Sequence, residues 1–304
     1  MLNFHKPSIA DYGWIHDITY PANLPGVDMS FHNMYFWECY YGEVAQAAGF
    51  VTQRLSKDGV STYLYPAGAG DVKPALEEIL NDAKARGEKP VLRGVTEDKK
   101  ALLEELYPGK FSFTAYRDSF DYIYTVEELT ELHGKKLQSK RNHCNRFEDE
   151  FPDWFTAPIT DENLPQCHEM LRIWYEQHEP AVNAQELDQL QLEKTALQRA
   201  FDHFDELEMD GLLLSDGERI IAFSMGSRMN RDYYDVGFEK AFPDVNGAYA
   251  MINREFSRMI AEKYPEVRFL NREDDMGSEG LRRAKESYQP TVLLEKYVAD
   301  WKEN

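Results

Sequence analysis

The sequence is poor in cysteine and in positive charge. Its 304 residues include three cysteines, Cys39, Cys144 and Cys167, and no two of them form a C-x-x-C pair. Such sparse thiols exclude the disulfide framework of small secreted domains and indicate a reducing compartment. The chain carries 34 lysines and arginines against 54 acidic residues, which gives a formal net charge of −20. This charge argues against general affinity for DNA, RNA or anionic lipid, but it does not exclude a local basic site.

Long apolar runs and metal-binding motifs are absent as well. No run of 18 apolar residues occurs, and residues 1–7 lack the apolar centre of a signal peptide. We therefore expect a cytoplasmic protein without a membrane span. The eight histidines are scattered, with no H-E-x-x-H motif and no Cys/His cluster, so we expect no metal. The G-x-S-x-G motif of a nucleophilic triad is also missing.

Apolar content and length favour a folded protein of two domains. Apolar residues make up 42% of the chain and aromatic residues 13%, which is ample for a packed interior, and 304 residues are many for one ordinary core. Both halves run in the same order: hairpin, glycine-bearing loop, helix, strand, helix, strand. We interpret them as two tandem copies of one mixed α/β unit, each a mostly antiparallel sheet flanked by helices. The predicted domains are residues 1–126 and 127–304.

The stretch 233–264 is the centre of the second copy. Its β-prone start, residues 233–238, is followed by a break around Gly247 and then by apolar residues at helical spacing from Tyr249. A strand, a glycine-bearing turn and a helix in this order direct free backbone N–H groups toward an anion. The pattern predicts a phosphate-bearing cofactor at the loop, and a plain turn is the alternative.

A basic segment stands out in this acidic chain. It contains Lys135, Lys136, Lys140, Arg141 and Arg146. On a helical wheel Arg141 falls about 40° from Leu137, inside the apolar sector. Two interpretations of Arg141 remain open: an anion contact in the cleft between the domains, or a structural role in which it snorkels or pairs with a buried carboxylate. The lysines either join that anion site or offset nearby acidic residues.

An acidic run follows the predicted strand that ends at Asn271. It reads Arg272-Glu273-Asp274-Asp275, and its carboxylates can supply a general base or bind an amine, or form a solvated loop. Lys285 and Tyr288 lie three residues apart on one helical face, so both can reach one ligand. Tyr288 is a candidate general acid, with simple packing as its alternative.

Four segments carry a family resemblance. They are GKKLQSKRNHCNRF at 134–147, NRED at 271–274, GLRRAK at 280–285 and YQP at 288–290. The chain resembles a bacterial family that is grouped with the C-terminal domain of phosphatidylglycerol lysyltransferase. Those proteins carry two GNAT-like acyltransferase folds in tandem, as do the Fem-type aminoacyl transferases. The resemblance covers nearly the whole chain. It implies two tandem GNAT-like domains, with a degenerate, structural first half.

The resemblance also implies a site in the second half. The strand before the pyrophosphate loop of a GNAT fold pairs with pantetheine, and here that strand supplies Val236, Gly237 and Phe238. The loop amides that would bind an acyl-CoA are those of Val245, Asn246, Gly247, Ala248 and Tyr249, with Lys285 nearby. Asn271 matches the asparagine after the next strand, and Tyr288 matches the tyrosine that protonates the departing thiolate. This loop lacks one glycine and the first basic or amide residue of the Q/R-x-x-G-x-G/A pattern.

Three functions follow from these observations. The first is transfer of an acyl group from acyl-CoA to a small-molecule or peptide amine, with Tyr288, Asn271 and Glu273 as catalytic residues and Arg141, Lys140, Lys136 and Arg282 as anion contacts. The second is an aminoacyl-tRNA-dependent transferase, against which the net charge weighs because tRNA requires many phosphate contacts. The third is a non-catalytic ligand-binding protein on a decayed transferase fold. No DNA partner is expected.

Overall fold

The computed structural model describes residues 1–57, 59–179 and 184–302. Within these ranges the chain forms eleven α-helices and thirteen strands. The helices are α1 (Tyr12–Thr19), α2 (Phe31–Phe36), α3 (Glu38–Tyr41), α4 (Lys73–Ala85), α5 (Glu97–Leu106), α6 (Val126–Glu131), α7 (Gln138–Glu150), α8 (Leu164–His178), α9 (Ala184–Asp202), α10 (Ala248–Lys263) and α11 (Glu279–Glu286).

The strands form two sheets. They are β1 (Glu43–Ala47), β2 (Phe50–Lys57), β3 (Val60–Leu64), β4 (Val91–Val95), β5 (Phe111–Ala115), β6 (Asp121–Thr125), β7 (Phe155–Pro158), β8 (Asp210–Ser215), β9 (Ile220–Arg228), β10 (Tyr233–Ala241), β11 (Phe269–Asn271), β12 (Val292–Leu294) and β13 (Tyr297–Trp301). The first sheet has the order β1-β2-β3-β4-β13-β5, and the second has the order β12-β6-β11-β10-β9-β8-β7.

Each sheet is antiparallel except for one pair of strands. In the first sheet β3 and β4 are parallel, with Leu64 opposite Arg93 at the last pair. In the second sheet β10 and β11 are parallel, with Asp235 opposite Asn271. A helix connects the strands of each parallel pair, α4 in the first half and α10 in the second, as a parallel connection requires. The predicted mixed α/β architecture with two repeated, mostly antiparallel sheets is confirmed.

The two sheets exchange strands. β6, which lies before residue 126, is inserted in the second sheet between β11 and β12, and β13, at the C-terminal end, is inserted in the first sheet between β4 and β5. The predicted domain boundary after residue 126 stays a prediction. Each sheet contains one strand from the other side of that boundary.

Apolar packing is continuous between the halves. One buried cluster contains Val44 and Leu64 of the first sheet together with Tyr122 and Phe223 of the second, and a smaller cluster lies under α4 and β4. Burial of these side chains from both halves supplies the main stabilisation of their contact. None of the helices bounded above combines the length and the apolar character that a membrane crossing needs. The cytoplasmic location stays a prediction.

Candidate functional site

A gap opens between β10 and β11 after their last parallel pair. β11 ends at Asn271, whereas β10 continues for six residues to Ala241. The register of β10 on β9 also shifts between Asp235 and Phe238. Such a shift marks a β-bulge, which bends a strand and re-aims its side chains. From residue 236 onward, this edge of β10 therefore has no neighbouring strand in the described part of the sheet.

Gly226 on β9 permits the bulge. A Cβ atom at this position would lie 2.1 Å from the backbone oxygen of Asp235 and 2.7 Å from the ring of Tyr234. Any other residue would push β9 and β10 apart, because backbone atoms cannot yield as a flexible side chain can. The sequence thus fixes the bend of β10 through the smallest residue on the neighbouring strand.

The gap widens into a cavity of about 470 Å³. Its walls come from β10, from the segment between β11 and α11, from α11, from α9, and from two tryptophans. The lining includes Trp37, Trp174, Val236, Gly237, Phe238, Glu239, Lys240, Tyr249, Arg272, Glu273, Asp274 and Lys285. A cavity of this size matches a typical small-ligand site, in which a few polar groups lie among apolar ones.

The cavity lining carries an excess of carboxylates. Five acidic side chains line it, against the cations of Lys240, Arg272 and Lys285. Lys240 is paired with Glu193 at 2.8 Å and Arg272 with Glu239 at 2.9 Å. The ammonium of Lys285 donates to the backbone oxygens of Arg272, at 2.5 Å, and of Asp274. The cations are thus all engaged by the protein, so the cavity favours a ligand with positive charge.

Two carboxyl groups meet at the closed end of the gap. The Asn33 amide nitrogen donates to Glu273 Oε1 at 3.0 Å and to Asp235 Oδ2 at 3.2 Å. The two carboxyl groups flank Gly237, since a Cβ there would lie 3.8 Å from Glu273 Oε1 and 3.9 Å from Asp235 Oδ2. Glu273 itself has a positive φ of 58°. This left-handed conformation is uncommon outside glycine and asparagine, and it is frequent at functional sites.

Burial sets the protonation of this end of the cavity. Burial raises the pKa of Glu273 to about 8, although Lys285 and Asn33 favour its charged form. Burial, followed by the charge of Glu273, raises the pKa of Asp235 well above its usual range. Burial also raises the pKa of Asp274 to about 6 and lowers that of Lys285. A carboxyl group that titrates near neutral pH in a cavity is suited to general acid–base chemistry.

The comparisons with known proteins identify the family of this chain. A family model described as "Phosphatidylglycerol lysyltransferase, C-terminal" matches residues 22–300. The chain belongs to this family. A conserved protein of unknown function from Bacteroides thetaiotaomicron has 35% identical residues and a TM-score of 0.91, over 99% of this chain and 100% of that one. The structure of L-PGS from Bacillus licheniformis has 16% identity and a TM-score of 0.67, over 98% and 93%.

One further relative matches this chain over part of its length only. It is an uncharacterised protein of Mycoplasmoides gallisepticum, 25% identical over 185 residues, which are 60% of this chain and 56% of that protein. The match thus spans little more than half of that relative's length. The predicted membership in the lysyltransferase C-terminal family is confirmed, and so are the predicted tandem GNAT-like folds.

Six of the predicted site residues line the cavity of this lysyltransferase-family chain. They are Val236, Gly237, Phe238, Tyr249, Glu273 and Lys285. The predicted loop residues Val245, Asn246, Gly247 and Ala248 lie outside it. Gly247 has a φ of +87°, and a Cβ there would lie 2.5 Å from the backbone oxygen of His143 on α7. The loop therefore packs against α7, and its predicted cofactor contacts stay predictions.

Three other predicted residues contact other parts of the protein and not the cavity. Asn271 is wholly buried, and its amide donates to Pro25 O at 2.9 Å and to Asp121 Oδ2 at 3.0 Å. Arg282 pairs with Asp275 and with Asp118. Tyr288 is 5% exposed, its ring contacts Tyr124 edge-on, and burial raises its pKa. None of the three lines the cavity, and their catalytic and anion-binding roles stay predictions.

The residues of the basic segment have different surroundings in the structure. Arg141 donates to the backbone oxygens of Leu132 and Gly134, which satisfies carbonyl groups after the end of α6. Lys140 places its ammonium 4.1 Å from the centre of the Tyr288 ring, and the Arg272 guanidinium lies 4.8 Å from the same ring. Lys136 is exposed. Lys140 and Tyr288 thus come together beside Arg272 of the cavity wall, and neither Arg141 nor Lys136 lines the cavity.

Sequence reasoning missed Asn33, Asp235 and Glu239. Asp235 lies in the β-prone run that we identified, but nothing in its spacing marked it as a partner of Glu273. Asn33 lies 240 positions before Glu273, and only tertiary folding brings them together. Among the described residues, no cluster of His, Cys, Asp and Glu has the geometry to hold a metal ion.

Proposed function

We propose that this chain transfers an aminoacyl group from the 3′-terminal ester of a tRNA to an amine or hydroxyl acceptor in the cavity between β10 and β11. One observation supports this above all: the edge of β10 that has no neighbouring strand among the described residues begins beside Glu273, a carboxyl group whose pKa burial raises to about 8. The edge can hold an extended substrate by backbone hydrogen bonds, and Glu273 can accept a proton at its end.

The charge of the cavity favours an aminoacyl group over a plain acyl group. An aminoacyl ester carries an α-ammonium group, and some carry a cationic side chain as well. The carboxylates of Glu239 and Asp274 line the same cavity as Glu273, and an ammonium group near them gains Coulomb energy in a partly desolvated setting. The description of the matched family, phosphatidylglycerol lysyltransferase, supports the same choice.

Glu273 acts as the general base in this proposal. Its carboxylate removes a proton from the acceptor nucleophile, which attacks the ester carbonyl carbon. In this proposal, backbone N–H groups on the free edge of β10 donate to the developing oxyanion. The tetrahedral intermediate then expels the 3′-oxygen of the tRNA, which receives the proton held by Glu273. Atoms and charge balance without a metal or a further reactant.

A local excess of positive charge supports a polyanionic donor. Lys140 and Arg272 both lie over the Tyr288 ring, and one carboxylate, Glu239, pairs with Arg272. Lys135, Lys136 and Arg146 are exposed, two of them before α7 and the third on it. These side chains are available to phosphate groups of a tRNA acceptor end, despite the overall charge of −20.

Acyl transfer from acyl-CoA is the second candidate. It is favoured by the position of Val236, Gly237 and Phe238, which line the gap where the predicted pantetheine contacts belong. The acidic lining weighs against it, because coenzyme A carries several phosphate charges and the cations of the cavity are already paired.

Calorimetry with two donor mimics separates the candidates. One is a 3′-lysylamido analogue of adenosine, in which an amide replaces the labile ester, and the other is acetyl-CoA. We expect saturable heat with the first and none with the second. Saturable heat with acetyl-CoA alone would support the second candidate, and no heat with either would overturn the proposal.

A matched pair of glycine substitutions locates the binding. Gly237→Leu adds a side chain that extends into the cavity, since no atom lies within 3.8 Å of its Cβ position. Gly13→Leu makes the same change at an exposed position of α1 with no atom within 4 Å. We expect Gly237→Leu to abolish binding and Gly13→Leu to preserve it. Equal binding by both variants would place the ligand elsewhere.

A further inference from the structure

Asn33 connects the first half of the chain to the carboxyl groups of the second. It lies on α2, is 4% exposed, and its backbone nitrogen donates to the side chain of Ser30, which caps that helix. Its amide nitrogen carries two hydrogens, and the structure directs one to Glu273 Oε1 and the other to Asp235 Oδ2. One short helix of the first half therefore fixes both carboxyl groups.

The surroundings of Asp235 disfavour its charged form. Asp235 is 3% exposed, and among the described side chains Asn33 alone donates a hydrogen bond to it. Its Oδ1 atom is buried and has no hydrogen-bond partner among the described residues. A buried carboxylate with a single hydrogen-bond donor is more stable when protonated.

Glu273 differs from Asp235 in its access to the cavity. Its side chain lines the cavity wall and is partly exposed. The titratable and charged groups that face the two carboxyls are Lys285, Asp121, Asp274, Tyr41 and Tyr234. Lys285 favours the charged form of both carboxyls and Asp121 opposes it for both. The distinction between them therefore comes from burial and from the unpartnered Oδ1 of Asp235.

We propose that Asp235 keeps its proton through neutral pH and, together with Asn33, positions Glu273 as the only one of the two carboxyl groups that ionises. This inference rests on the proposed function in one respect, the use of Glu273 as the base. During transfer the proton passes from the acceptor to Glu273 and on to the leaving oxygen, while the Asp235 proton stays in place. Asn33 and Asp235 are positioning residues, and the first half completes the site.

Carbon-13 NMR of glutamate carboxyl groups tests this without turnover. In protein labelled at glutamate Cδ, the resonance missing from Glu273→Gln identifies Glu273. We expect the pKa of Glu273 in Asp235→Asn to stay where it is in the unmodified protein, because an amide replaces an already neutral carboxyl. A pKa of Glu273 that falls toward its usual range in Asp235→Asn would show that Asp235 carries charge, and would overturn the inference.

The variant Asn33→Leu provides a second test of the inference. Loss of the amide donor removes a hydrogen bond to the ionised form of Glu273, so its pKa rises and the pH profile of transfer moves to higher pH. Asn253→Leu is the control, since the Asn253 amide bonds Glu239 at 2.9 Å instead, and it should leave the Glu273 pKa unchanged. An unchanged Glu273 pKa in Asn33→Leu contradicts the inference. Absence of transfer by the unmodified protein would instead overturn the proposed function, and the NMR result would stand.

Discussion

β3 and β10 are equivalent strands, since each pairs in parallel with the strand that follows the next helix. Beyond the last pair, Leu64 opposite Arg93, the chain stays bonded to β4, because Tyr65 N donates to Arg93 O at 3.0 Å. Beyond Asp235 opposite Asn271, β10 leaves its neighbour and runs on for six residues. The parallel pair therefore stays hydrogen-bonded beyond its last register pair in the first half, whereas its two strands separate in the second half.

The side chains at equivalent positions explain this difference. The register places Leu64 where the second half has Asp235, and Val95 where it has Glu273. Leu64 and Val95 are both wholly buried. Apolar side chains close the first sheet by packing, whereas the two carboxyl groups cannot pack as tightly and stand beside a cavity. A duplicated fold thus keeps a structural copy and a copy with acid–base groups.

The largest effect is expected at Glu273, which is equivalent in position to Val95 of the first half. Glu273→Gln removes the proton acceptor and should lower the kcat of aminoacyl transfer by about 10²–10⁴-fold. Val95→Thr, at the equivalent position of the first half, should lower stability and leave kcat unchanged. Transfer rates with labelled aminoacyl-tRNA measure both. Equal losses of kcat in the two variants would show that the halves do not differ in this way.

A smaller effect is expected where the bulge of β10 depends on Gly226. A Cβ at this position meets Asp235 O at 2.1 Å, so Gly226→Ala should lower the free energy of unfolding by about 1–3 kcal/mol and weaken binding of the donor mimic. At the equivalent position of the first half, Thr52 donates to Leu64 O at 2.8 Å. Thr52→Ala should cost about 1 kcal/mol without a change in binding. Denaturant titrations and calorimetry measure the two quantities, and unaltered binding by Gly226→Ala would contradict the role of the bulge.

The next effect concerns the pH dependence of the free energy of unfolding. Folding raises the pKa of Glu273 from 4.5 to about 8, so between these values the folded chain holds a proton that the unfolded chain has lost. The free energy of unfolding contributed by Glu273 therefore falls as pH rises from 4.5 to about 8. Glu273→Gln should become more stable relative to the unmodified protein across that window, which denaturant titrations at several pH values measure. A flat difference for Glu273→Gln would rule out the raised pKa.

The smallest effect is expected for single surface lysines. Lys136→Ala should weaken tRNA binding about twofold and lower the salt slope of log Kd by about 1, because one phosphate contact is lost. Lys84→Ala, exposed on α4 of the first half, should change neither. Filter binding at several salt concentrations measures the slopes, and identical slopes for the two variants would place the tRNA away from α7.

The sequence predicted the repeated fold and six of the residues that line the cavity. Periodicity and order of elements sufficed for the two sheets. Glu273 was identified because it lies in an acidic run after a predicted strand, and Lys285 because it shares a helical face with Tyr288. The strand exchange was not predictable, because β6 and β13 have the same alternating pattern in either sheet. Asn33 and Asp235 were missed for a similar reason: their function depends on contacts between distant segments, and a local pattern contains no information on such contacts.

The pH dependence of transfer shows whether Glu273 is the general base. Glycerol serves as acceptor, since its hydroxyl groups do not titrate in the accessible range, and the rate is followed from pH 6 to 9 for the unmodified protein and for Glu273→Gln. We predict a rate that rises with pH and levels off above an inflection at about 8, and no such inflection in the variant. An inflection that persists in Glu273→Gln, or a variant as fast as the unmodified protein, would contradict the assignment of Glu273 as the base.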